Sequence, residues 1–88
     1  MSKIVKLSAD EMVGAAYVDE LLAQGMAFIR VTTSRSLRTD SELELKATGF
    51  RSLIGSGGNL RMGTILIADL PKLEALDLVQ KIEQYENK

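Results

Sequence analysis

The sequence has no cysteine and no histidine. The first absence excludes disulfides, thiolate zinc sites and iron–sulfur clusters, and it leaves the redox compartment unreadable. The second removes the commonest general base and the commonest metal ligand together. Ser34, Ser36, Ser52 and Ser56 therefore have no imidazole to activate them. Alternating acids at Asp40, Glu42 and Glu44 read as a solvated face rather than a catalytic pair, and no oxygen-ligand spacing of the calcium-loop kind is present. Neither the P-loop nor the G-x-G-x-x-G pattern occurs. Long apolar runs are missing too. The longest nearly apolar stretch, Met62 to Ala68, falls far short of the roughly 18 residues of a membrane span. The opening MSKIVKLSADEMVG carries charges throughout and lacks a small-residue cleavage pattern, so no secretory signal is expected and cytoplasmic residence is. These absences predict a protein that is not an enzyme and uses no cofactor, metal or membrane.

What is there is the composition of a soluble globular domain, with 45% hydrophobic and 26% charged residues. A chain of 88 residues allows one domain, residues 1–88, burying about 60–65% of its unfolded surface.

Residues 3–8 alternate as a short strand does. Ser8 with Glu11 three residues on has capping-box spacing, and Gly25 reads as a left-handed helix stop, so a helix is expected over about 10–24. MAFIRVTT, 26–33, is dense in β-branched residues and reads as a strand. Its alternation places Met26, Phe28 and Arg30 on one face. The segment 41–50 is readable two ways. Glu42 to Ala47 alternates with period two, while Leu43, Ala47, Phe50 and Ile54 share one face of a helix. Good helix formers, the available caps and a stop at Gly55 favour a helix within 36–53. GSGGN, 55–59, is a loop, and LRMGTILIA, 60–68, a third strand. Asp69 and Pro71 open a last helix over about 71–86, with Leu78, Val79, Ile82 and Tyr85 as its apolar stripe. The expected fold is α/β: a small two-layer sandwich in β-α-β-α-β-α order, helices on one face of the sheet.

Charge is unevenly placed. The net charge is −1, yet residues 30–61 carry a surplus of three positive charges and hold all five arginines: Arg30, Arg35, Arg38, Arg51 and Arg61. Arginine's planar fork suits phosphate. Small hydroxyls and glycines are interleaved with it, Ser34, Ser36, Ser56 and Gly57 among them, and such residues supply the other usual phosphate donors. The alternatives for this stretch are solvated surface and salt bridges within an oligomer.

With these elements placed, the chain resembles the stage V sporulation protein S family, small bacterial relatives of the Alba chromatin proteins. VKLSA resembles that family's opening strand, and LLAQG its leucine-rich helix ending in glycine. Gly25, Ala27, Ile29, Leu37, Ala47, Gly49 and Phe50 match family-typical residue types without a gap. The likeness covers about residues 3–68. The charged Glu42, Glu44 and Lys46 depart from the family's second helix, as does a helical tail after 71. GNLRMGTILIADLPK also resembles the final strand of the C-terminal domain of translation initiation factor 3. Both likenesses imply a β-α-β-α-β-β plan and nucleic-acid binding without catalysis.

The expectation is thus a regulatory or nucleoid-associated protein that contacts phosphates of DNA or RNA through its Arg/Ser/Gly-rich centre. The competing expectation is a homo-oligomeric interaction or inhibitor module, a homodimer or larger, using an open sheet face at Ile4, Met26 and Phe28. A small phosphorylated ligand is a third.

Overall fold

The computed structural model describes residues 3–8, 14–34, 39–55 and 58–86. Five strands and three helices follow one another as β1 (Ile4–Ser8), α1 (Ala15–Ala23), β2 (Met26–Thr33), α2 (Thr39–Ala47), β3 (Arg51–Gly55), β4 (Leu60–Leu66), α3 (Leu70–Glu74) and β5 (Val79–Glu86), a 3₁₀ turn at Ile67–Asp69 leading into α3. The strands form one mixed sheet in the order β1-β5-β2-β4-β3. β1 runs parallel to β5, and every other neighbouring pair is antiparallel. The protein is a small mixed α/β fold, and its element order replaces the expected β-α-β-α-β-α.

The first half follows the sequence closely. β2 spans the expected residues, and α1 ends in a turn where Gly25, at φ 75°, donates its N–H to the Leu22 carbonyl at 3.0 Å. The start of α1 differs. Ser8 is the last residue of β1, Glu11 lies outside the described residues, and the N-cap is Gly14, with no side-chain cap.

α2 is shorter than expected and turned on its axis. It stops at Ala47, with Gly49 at φ 97° behind it. The Thr48 hydroxyl donates to the Leu45 carbonyl at 2.6 Å. Leu45 is the buried residue, 2% exposed, while Leu43 is 59% exposed. Of the expected Leu43–Ala47–Phe50–Ile54 face, Leu43 and Ala47 are therefore exposed, whereas Phe50 is buried in the same cluster as Leu45. Ile54 and Phe50 lie beyond the helix, because Gly49 breaks it and residues 51–55 pair as β3 along β4. That edge strand is bulged between Ser52 and Ile54. Opposite the bulge sits Gly63, where a Cβ would collide with the Arg51 carbonyl and lie 2.9 Å from Ser52 Cα. Only glycine lets the two backbones come so close.

The expected C-terminal helix over 71–86 is corrected most. Helix occupies only Leu70–Glu74, and residues 79–86 form β5, second in the sheet and paired on both sides. A strand covered on both faces loses the plain in-out alternation that marks a half-exposed one. Here Val79 and Ile82 are buried on one side and Tyr85 on the other, a spacing that also suits a helical stripe.

Helices cover both faces rather than one. Ala27, Ile29, Val31, Ile65 and Ile82 pack with Leu45 of α2 and with Leu70 and Leu73 of α3. Phe28, Met62 and Tyr85, on the reverse, pack with Val18 and Leu21 of α1. Among the described residues no helix is long and apolar enough to cross a membrane.

Candidate functional site

Cross-strand partners share a face of the sheet. Arg61 pairs with Val31, so it emerges on the side covered by α2 and α3. Arg30 pairs with Met62 on β4 and with Glu83 on β5, so it emerges on the side of α1. The sheet thus stands between two of the five arginines, and no single flat ligand reaches both.

On its side Arg30 is committed to the fold. Its Nε and Nη2 donate to the two carboxylate oxygens of Glu83, each at 2.7 Å. Lys81 Nζ stands 3.8 Å from the same carboxylate. The Arg30 guanidinium holds the Glu83 carboxyl below the usual carboxylate range, overcoming burial, which pushes it up. Sequence alone missed Glu83, because its partner lies 53 residues away.

On the other side a cleft of about 540 Å³ opens between α2, the start of β3 and β4. Glu42 and Lys46, one helical turn apart on α2, form one wall. Ser52 of β3 faces the cleft, since its partner Gly63 pairs with Ile29 on this side of the sheet, and Arg61 of β4, Leu45, Gly49 and Phe50 complete the lining. Arg51 borders the cleft at the start of β3, but its partner Thr64 pairs with Phe28, which turns it toward the α1 side. Arg61 is held firmly. Its Nη1 donates to the Leu60 carbonyl at 2.7 Å, and its Nε and Nη2 both donate to Glu42 Oε1, at 3.0 and 2.9 Å. Its side chain is only 17% exposed, whereas that of Glu42 is 52% exposed. Lys46 and Arg51 are exposed and form no ion pair among the described residues. The charge pattern pointed to Arg51 and Arg61 in advance. Glu42 was legible only as part of a solvated acidic face and Lys46 only as part of the positive surplus of residues 30–61, although their four-residue spacing puts them on the same side of a helix.

The remaining expected residues are scattered. Ser34 is exposed beside a second cleft of about 530 Å³, with Glu44, Leu76 and Asp77, and its backbone N–H donates to the Leu78 carbonyl at 2.9 Å. Arg35, Ser36, Arg38, Ser56 and Gly57 lie outside the described residues. The expected open face at Ile4, Met26 and Phe28 is not one face. Ile4 packs with the α2/α3 cluster, and Met26 and Phe28 with the α1 cluster. Phe28 is 3% exposed, its ring edge-on to Tyr17 at 5.7 Å and to Tyr85 at 5.6 Å, because α1 lies over it. Among the described residues no group of three or more acidic side chains is placed to hold a metal ion. Comparison of the chain with protein-family models, with curated proteins and with solved structures finds no match.

Proposed function

We propose that the protein is a non-enzymatic nucleic-acid-binding protein that grips the phosphate backbone at the α2–β3 cleft. One observation carries the reading: Lys46 of α2 and Arg61 of β4 line one cleft with Ser52 of β3 beside them. Two cations and a hydroxyl suit adjacent phosphates. The aromatic residues speak to the form of the nucleic acid. Phe28, Phe50 and Tyr85 are buried, and Tyr17 packs on Phe28 on the reverse of the sheet. Phe50 lines the cleft but is only 3% exposed, so its ring offers little face for unpaired bases, which favours a duplex backbone read without sequence preference. Arg30 takes no part in this reading. The likeness to the sporulation family points the same way and rests on the residues that carry it.

Fluorescence anisotropy with duplex and single-stranded DNA and RNA tests the reading. Two phosphate contacts give a slope of about −1.8 in log affinity against log salt, a loss of about 12-fold between 50 and 200 mM. Replacing Lys46 by alanine should shrink that slope by about one unit, and replacing Arg51 by alanine should leave it nearly unchanged. Salt-independent binding, or none at low salt with folded protein, overturns it.

The interaction-module reading draws its support from a different place than Phe28. β3 is an edge strand, and its Leu53 is 51% exposed. A particle mass of twice the chain mass, lost on Leu53→Asp, would favour it.

A further inference from the structure

We infer that the side-on fork of Arg61 is a seat for one phosphate group, and that Glu42 fills this seat until a ligand displaces it. The inference rests on the proposed phosphate-binding role of the cleft and names the atoms that perform it. The Nε and Nη2 hydrogens of arginine point in parallel at two oxygens of one oxyanion. In this molecule both are aimed at the single oxygen Oε1 of Glu42, and Oε2 accepts no hydrogen bond among the described residues. The fork is therefore occupied but not matched, and a phosphate offering two oxygens matches it better.

The two partners are unequal in a way that makes exchange inexpensive. Arg61 is largely buried and anchored through Nη1 to the Leu60 carbonyl, so its fork keeps its direction when Glu42 leaves. Glu42 is half exposed and sits in the first turn of α2, where the helix N-terminus still favours its charge after it swings into water. An ion pair with one exposed member is worth about 1 kcal/mol or less, a factor of about 5 in affinity. Lys46, lining the same cleft, is in place to meet the remaining charge of the phosphate.

The experiment measures the affinity of the whole chain for a fluorescein-labelled DNA duplex at low salt, and follows the Arg61 Nε–H resonance during titration with inorganic phosphate. Glu42→Gln removes the occupant and is expected to tighten duplex binding about 3- to 5-fold. That change also removes a negative charge, so Glu44→Gln is the control. It removes the same charge from the same helix at a residue lining the other cleft, and is expected to change affinity less than 2-fold. In an Arg61→Lys background, which keeps the charge but loses the fork, Glu42→Gln should gain no more than Glu44→Gln does. Equal effects of the two glutamine variants in the wild-type background overturn the seat and leave duplex binding standing. Inorganic phosphate that moves Arg61 Nε–H at lower concentration in Glu42→Gln, with no duplex binding in any variant, supports the seat and rejects the nucleic-acid reading. No response to either probe overturns both.

Discussion

Arg30 and Glu83 face each other across the β2–β5 pairing and are joined by two hydrogen bonds of 2.7 Å. They form a bidentate ion pair on the α1 side of the sheet. The Glu83 side chain is 8% exposed and that of Arg30 36%. An acid this deep in the central strands is tolerable only because it is paired.

Acid should therefore weaken the fold through Glu83. Its pKa in the folded protein lies below the ordinary value of 4.5, so the unfolded chain binds the proton more readily. The stabilisation is fully present above about pH 4.5 and is lost as pH falls through the lower folded value. Urea unfolding from pH 7 to pH 3 should show this loss, and Glu83→Gln should flatten the profile over the same range. An unchanged profile in that variant would assign the acid sensitivity elsewhere.

Removing one partner should cost more than removing both. Arg30→Met leaves the buried carboxylate with only the longer contact to Lys81 at 3.8 Å and is expected to destabilise by on the order of 2–3 kcal/mol, whereas Arg30→Met with Glu83→Leu should recover most of the loss. Chemical denaturation of the double-mutant cycle measures the difference.

Gly63→Ala tests the close approach of β3 and β4. The added methyl collides with the Arg51 carbonyl opposite the bulge, and relief requires β3 to move outward. The expected cost is about 1–3 kcal/mol, read as a lowered Tm. The same shift displaces Arg51 and Ser52, so affinity at the cleft should fall with stability.

The orientation of α2 is open to a paired substitution. Leu43→Lys should be within about 0.5 kcal/mol of wild type, because Leu43 is already in solvent. Leu45→Ala should cost about 2–5 kcal/mol. The reverse result would restore the helix face that periodicity alone suggests.

Phe28→Asp should unfold the protein rather than dissociate an oligomer. It puts a charge between Tyr17 and Tyr85 beneath α1. Circular dichroism and sedimentation on the same sample separate loss of structure from loss of association.

Legibility in the sequence followed the reach of the interactions. β2 and the Gly25 turn are written in their own residues: β-branched side chains in alternation, and a glycine where φ must be positive. Leu45 was harder, since two registers of α2 satisfy the periodicity and only the sheet beneath selects one. At the cleft, Arg61 stood out by type. Lys46 and Glu42 did not, because a helix face looks solvated until something is placed against it.

The chain by itself determined the alternating strands, the glycine stops, the lack of thiol and imidazole chemistry, and the concentration of arginine between residues 30 and 61. Tertiary structure decided what each arginine does. It seats β5 between β1 and β2, which brings Glu83 to Arg30, and it lays α2 over β4, which brings Glu42 to Arg61. The physical reason is that a charge's role depends on its partner and its burial. Both are set by segments far away in sequence, and Val79–Glu86 took its place as a strand only because neighbours on both sides were there to pair with it.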